Sequence, residues 1–398
     1  MSVNAPAKLR ELLAERSGTQ PEEWFLVHKA RFGMEVVFTS LRNSSGPGNV
    51  ITQIFTCATA VNPILAAGLT PRYAEVSVDS LSLDSRLIAI EPADKGVVIQ
   101  NTFGMISDDS ARDIAIAART AGLLVMEDSA HAVGRLARDE SGAPVADVSI
   151  HSFGVEKLLS TKFGGAIWLN PKTNDEGYPQ ELRAGIAAAL HNLVAPSARQ
   201  RFAARTYRTQ LRVLTRLPRA VSSRLRRLLV SAGLFDPPIA PRESLGVQAA
   251  PVGMSTWVAS QAVQSLAAVA AVESQRSQAV AVYARGLRDS VHVPAHVASL
   301  VAEGMPEPLV RFPFYVESHE RAEALIAVLT ARGIPAGRWY RPALFPGAQD
   351  PAIYHYVQGS AELAVSEDAI MRVVNLPTNV TVERAQDIVA LVKEHLGR

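Results

Sequence analysis

Glu127-Asp128-Ser129-Ala130-His131-Ala132-Val133-Gly134, followed by Asp147, Ser152-Phe153, Lys157 and Gly164-Gly165, is the stretch that organises this chain. Asp128 comes directly after Leu123–Glu127, which reads as a buried strand. A carboxylate in that place costs desolvation energy unless a partner answers it. Working outward, Asn49–Thr56, Val97–Gln100, Val145–Phe153 and Ala166–Leu169 also read as strands. Between them, Ala58–Ala67 reads as a helix stopped at Gly68. A second helix opens with Ser107 as its cap, Asp108 and Asp109 in its first turn, and ends near Gly122. Strand, helix and strand at this spacing imply an α/β fold with parallel strands and right-handed crossovers. Ligands of such sheets collect at the carboxyl ends of strands, which is where Asp128 falls.

Composition sets outer limits. The 398 residues suffice for two domains, and the formal net charge of +2 does not suggest a nucleic-acid binder. Cys57 is the single cysteine, so an internal disulfide, a cysteine zinc cage and a cysteine-held iron–sulfur cluster are excluded. That count, with no apolar leader or run of about 18 apolar residues, leads to the expectation of a cytoplasmic protein. His292 and His296 do not read as a metal pair, because Pro294 interrupts the helix they would need. No metal site is expected. P-loop, G-x-G-x-x-G, H-E-x-x-H and serine-hydrolase signatures are absent.

Later in the chain, helical periodicity runs from Trp257 to about Leu287. Leu309–Val316 reads as a strand, then a helix capped by Ser318, and a last helix from about Val382 to Leu396. The expected layout is a large domain over 20–270, interrupted by an Arg-rich insert at 183–250, and a smaller α/β domain over 271–398. From Arg183 to Phe235 there are 11 arginines and no acidic residue. Arg201, Arg205, Arg208, Arg212, Arg216 and Arg219 recur at helical steps and draw one basic stripe. A solvated helical hairpin, a peripheral membrane contact through Arg199–Val230, and arginines clamping a diphosphate are all open readings of this segment.

The motif that opens this section resembles the DegT/DnrJ/EryC1/StrS family of sugar aminotransferases, which are fold-type I pyridoxal phosphate enzymes. There a strand ends in Glu-Asp-x-Ala-(Gln or His), a Ser-Phe pair and a Lys follow, and Gly-Gly closes the motif. The resemblance spans roughly residues 25–170 and 253–398. It implies that Lys157 bonds the cofactor covalently, with Lys162 as the nearest competitor, and that Asp128 holds the cofactor's ring nitrogen. His131 would lie near the ring oxygen and Ser152 would bind the phosphate. Gly33 and the amide of Met34 would form a second phosphate anchor at a helix start. Three departures stand out: Glu35 in that anchor, Cys57 where the family often has an aromatic ring, and no Asn-x-Arg in Ala250–Ser255. The resemblance further implies a homodimer, a nucleotide-linked keto-sugar as substrate and glutamate as amino donor. A chain that has lost catalysis and serves as a binding or scaffold protein in glycan assembly is the alternative, as is another pyridoxal phosphate reaction on the same scaffold.

Overall fold

The computed structural model describes residues 4–397. Seven strands form the main sheet: β1 (Trp24–Val27), β2 (Asn49–Thr52), β3 (Thr70–Tyr73), β4 (Asp94–Gln100), β5 (Leu124–Asp128), β6 (Val148–Ser152) and β7 (Gly165–Leu169). Their order is β1-β7-β6-β5-β4-β2-β3. The pairs β2–β3, β2–β4, β4–β5 and β5–β6 are parallel. The pairs β6–β7 and β1–β7 are antiparallel. The sheet is thus mostly parallel, as the strand–helix alternation implies. The antiparallel edge arises where no helix separates two strands: β6 runs into β7 through a loop at 153–164, too short for a crossover.

The expected strands are present with shifted ends: β4 starts earlier, at Asp94, β5 ends one residue later, at Asp128, and β2 and β6 are shorter. β2 stops at Thr52 rather than Thr56, because Gln53 to Thr56 turn towards helix α3 (below) instead of continuing the ladder.

Helices α1 (Ala5–Ser17), α2 (Ala30–Ser45), α3 (Ala58–Ala66), α4 (Asp108–Thr120) and α5 (Gln180–His191) pack around this sheet. Helix α2 buries Met34, Val36, Val37, Phe38 and Leu41 against it. Ser107 stands at the N-cap of α4 as expected, but its side chain accepts no cap hydrogen bond. Ser318 does cap its helix, accepting from the Arg321 N–H at 3.3 Å. The core strands are buried on both faces; every residue of β5 and β7 is buried. Such strands read as continuous apolar runs rather than alternating ones.

Two helices follow in the insert, α6 (Ala198–Arg216) and α7 (Arg219–Ser231), with Pro218 between them. The helical stretch expected from Trp257 to Leu287 is two helices, α8 (Thr256–Ala267) and α9 (Val269–Leu287), broken at Ala268. Beyond lie α10 (Ala295–Ala302), β8 (Arg311–Tyr315), α11 (His319–Ala331), α12 (Ala364–Arg372), β9 (Val373–Pro377) and α13 (Val382–Leu396). β8 and β9 form an antiparallel pair of their own. Its core of Phe312, Phe314, Val374 and Leu376 is continuous with residues of α1, α8 and α9.

One buried ring makes the fold sensitive to acid. His151 lies inside β6, 5.0 Å from the Trp24 ring, and burial pushes its pKa down to about 3. The unfolded chain binds a proton near the ordinary histidine value, so stability falls as pH drops from about 6.5 towards 3. At pH 5 the loss from this one ring is about 2 kcal/mol. Urea midpoints at pH 7 and pH 5 are expected to differ accordingly, and His151→Gln should flatten the difference. An unchanged slope in that variant refutes the assignment.

Candidate active site

The carboxyl ends of β4, β5 and β6 bring Gln100, Asn101, Asp128 and Ser152 to one edge of the sheet. They line a cavity of about 380 Å³. The start of α2 contributes Lys29, Ala30, Arg31 and Met34, and the start of α3 contributes Cys57. The β6–β7 loop contributes Lys157 and Lys162. Asp236–Ile239 from the end of the insert and Trp339, Tyr340 and Phe345 complete the wall.

Strand geometry sorts the acidic pair. Successive side chains of β5 point to opposite faces, so Glu127 and Asp128 cannot share a role. Glu127 accepts from Asn101 Nδ2 and the Ala137 N–H, both at 2.8 Å, and so folds the loop after β5 back on itself. Asp128 faces the cavity. Among the described residues its carboxylate accepts one hydrogen bond, from the Ala130 N–H at 3.0 Å. Burial raises its pKa, and the Ala130 N–H opposes that only in part.

Lys157 is half-buried, and desolvation lowers its pKa in spite of Asp128. Desolvation is the largest effect on each of the two groups. Hydrogen bonding gives the same direction. His131 Nδ1 accepts from the Phe103 N–H at 3.2 Å, which assigns the hydrogen of the neutral ring to Nε2. Burial holds the ring neutral, with its pKa well below the usual value. Nε2 lies 2.7 Å from Lys157 Nζ, so Nε2–H donates and the amine accepts. An accepting amine carries no charge, and its one lone pair is directed at the Nε2–H. Phe103, Trp339 and Tyr340 hold the imidazole in place, their planes within 13° of it.

Lys162 lines the same cavity but faces other charges: burial and Arg208 lower its pKa, and Glu156 opposes them. Among the described residues it makes no hydrogen bond or ion pair with His131 or Asp128.

The other end of the cavity is basic. Ser152 pairs with Gly165 across the ladder, and a Cβ on Gly165 would sit 2.7 Å from the backbone N of Ala30. Glycine there lets the sheet edge press against the first turn of α2. The Ser152 hydroxyl accepts from the Gly154 N–H at 3.3 Å, leaving its own hydrogen to donate. Lys29 and Arg31 flank this helix start. Lys29 Nζ meets Asp236 at 2.7 Å, and Arg31 meets Glu243 at 2.7 Å. Burial works against the Asp236 carboxylate, yet His28 and Lys29 beside it hold its pKa at about 2.

The sequence singled out Gly33 and Met34 as the helix start. The helix begins one turn earlier, at Ala30, because Lys29 is already extended and Phe32 N–H bonds back to Lys29 O. Met34 lines the cavity. Gly33 is a packing position, where a Cβ would meet Ile167 at 2.3 Å. Glu35 turns away from the cavity to Gln248. Cys57 lines it as the N-cap residue of α3, its sulfur 3.0 Å from Thr59 Oγ1. Lys29, Arg31, Asp236, Trp339 and Tyr340 were not read from the sequence; the Arg31 and Lys29 partners lie more than two hundred residues away. Among the described residues no cluster of His, Cys, Asp and Glu is fit to hold a metal.

These features fit a pyridoxal phosphate: an uncharged amine, a carboxyl with an unfilled side at the end of a strand, and a helix start with a donating serine at the far end. The comparisons with known proteins agree. The sequence model described as the DegT/DnrJ/EryC1/StrS aminotransferase family matches residues 33–192 and 243–393. The match therefore reaches through α5, and the interior stretch left unmatched is 193–242, a shorter insert than the expected 183–250. Among curated relatives, the spore coat polysaccharide biosynthesis protein SpsC of Bacillus subtilis is 33% identical over 151 residues, which is 37% of this chain and 36% of SpsC. A GDP-perosamine synthase of Caulobacter vibrioides is 30% identical over 142 residues, 35% of this chain and 36% of that protein. The chain thus aligns with little more than a third of the length of these relatives. Solved structures share the whole fold at low identity. DesI, crystallised in the presence of its TDP-sugar product, matches with a TM-score of 0.69 at 21% identity, over 100% of this chain and 86% of DesI. Helicobacter pylori PseC, an aminotransferase of pseudoaminic acid biosynthesis, matches with a TM-score of 0.69 at 17% identity, over 98% and 90%. The NtdA structure from Bacillus subtilis, with bound PMP, matches with a TM-score of 0.68 at 15% identity, over 100% and 78%. With the family model matched across β2 to β7, the residues from Asp128 to Lys157 and the β8–β9 pair, this chain belongs to the DegT/DnrJ/EryC1/StrS aminotransferase family.

Proposed function

We propose that the protein is a pyridoxal phosphate-dependent aminotransferase that transfers an amino group from glutamate to a nucleotide-linked keto-sugar, and that it works as a homodimer in the cytoplasm. The observation that carries the reading is the Lys157–His131 contact beside Asp128 in one cavity. When bound, pyridoxal phosphate supplies the electron sink for breaking and making the bonds at the amino-bearing carbon. Lys157 would attach it, since an uncharged buried amine is a ready nucleophile. Lys157 would also hold and move a proton at the amino-bearing carbon, with Nε2–H of His131 fixing the position of its amine. Asp128 would pair with the ring nitrogen, where a protonated partner offsets the desolvation that the carboxylate now bears alone. Ser152 and the α2 start, with Gly33 behind it as packing and Met34 on the cavity wall, would take the phosphate. The nucleotide-sugar reading rests on relatives named GDP-perosamine synthase and dTDP-4-amino-4,6-dideoxy-D-glucose transaminase.

Incubation with nitrogen-15 glutamate and a panel of nucleotide-linked keto-sugars tests it, with mass spectrometry of the product. A labelled amino-sugar supports the proposal. A yellow protein that moves nitrogen between amino acids but into no sugar refutes the substrate class. A protein that stays colourless with added cofactor favours the scaffold alternative.

A further inference from the structure

Residues 193–242 lie outside the family match and carry α6 and α7. Arg199, Arg201, Arg205, Arg208, Arg212, Arg216, Arg219, Arg224, Arg226 and Arg227 are all exposed. Among the described residues none of them forms an ion pair. The contacts they do make go to backbone oxygens, as Arg208 to Ser160 and Arg227 to Ser223, or to the Phe235 ring from Arg226. A solvated helical pair normally interleaves charges of both signs. Ten like charges on one hairpin repel one another and destabilise it.

Apolar side chains share this surface. No residue of α7 is buried, and Leu228 is 67% exposed and Val221 50%. On α6, Phe202 and Val213 stand three turns apart on one flank of the basic stripe, 47% and 49% exposed. We propose that the α6–α7 hairpin docks the protein on an anionic phospholipid surface, with the arginines among the headgroups and Phe202, Val213, Val221 and Leu228 at the acyl boundary. Three of these four exposed residues, Val213, Val221 and Leu228, are aliphatic, whereas a nucleic-acid site rewards stacked aromatics. The hairpin is tied to the cavity. Tyr207 packs edge-on against Phe163 of the Lys157 loop at 5.4 Å, and the chain leaving α7 runs into the cavity wall at Asp236–Ile239. Docking therefore sets the cavity at a fixed place relative to the bilayer. The inference stands whether or not the proposed reaction is right.

Flotation of the full chain with vesicles decides it. Vesicles with about one third phosphatidylglycerol should carry the protein, pure phosphatidylcholine should not, and salt near 1 M should release it, since the screening length is then about 3 Å. The triple change Arg219→Gln, Arg224→Gln and Arg227→Gln should weaken binding about a hundredfold, at about fivefold per arginine. Leu228→Asn should weaken it about tenfold, with charge unchanged. Both variants alter only exposed residues of α7, so their unfolding transitions should match the parent. Three results overturn the proposal: no flotation with anionic vesicles, equal flotation with neutral ones, or full flotation of Leu228→Asn. Retention on single-stranded DNA without flotation overturns it in favour of a nucleic-acid surface.

Discussion

Lys157→Ala is expected to abolish covalent attachment of pyridoxal phosphate and to lower turnover by about four orders of magnitude or more, since it removes both the nucleophile and the proton carrier. Borohydride reduction of the parent protein, followed by peptide mapping, should place the pyridoxyl mass on the peptide containing Lys157. Lys162 is the alternative on the same loop, and a label there refutes the assignment. The structure gives the expectation its sign. Nζ of Lys157 is the atom that His131 Nε2 meets at 2.7 Å, and an uncharged lysine reacts without first losing a proton. Lys162 has Arg208 and Glu156 for company instead. The alanine variant should still fold, because the loop at 153–164 is held by Thr161 Oγ1 donating to Phe153 O at 2.6 Å and not by the amine.

The second large effect concerns Asp128→Asn. Attachment at Lys157 should persist, while turnover falls about 10²- to 10⁴-fold, the range of a lost proton-transfer contribution. An amide keeps the shape of the carboxyl but offers no charge to a protonated ring nitrogen. The same substitution should leave the cofactor-free protein as stable as the parent or more so. The carboxyl of Asp128 is buried with one N–H donor and its pKa is raised, so its ionised form weakens the empty fold. A carboxylate retained against its own desolvation cost marks a position kept for chemistry. Denaturant midpoints without cofactor and steady-state rates with it test the two halves separately. Full activity in the asparagine variant refutes the role of Asp128, and a large loss of stability with activity retained would make it a structural residue.

Much of the scaffold of this cavity was legible because it is local. Apolar runs gave β5, β6 and β7, and the step from Asp128 through Ser152 to Lys157 lies within 30 residues. What was not legible is built by distant pairs. Lys29 gains its place from Asp236, 207 positions away, and Tyr340 reaches His131 across 209. Periodicity carries no signal for such contacts. Gly33 shows a different limit. A glycine near a helix start suits both an anion cradle and close packing, and only the position of Ile167 shows the packing. Cys57, by contrast, reaches the cavity for a reason visible in the sequence, at the start of a helix that follows a strand. The basic stripe was equally plain, because arginine spacing is a local property; that α7 would bury nothing was not.

The opposite facing of Glu127 and Asp128 has a consequence for how this lineage can change. One acid folds the following loop and the other confronts the ligand, and a single inserted or deleted residue in β5 would exchange them. Both jobs would then fail together, with no intermediate of partial fitness. Substitution can explore this strand while length variation cannot. Descendants of this gene should therefore accumulate their gaps elsewhere, for instance at the exposed turn 139–142, and keep the register of five residues from Leu124 to Asp128 unbroken.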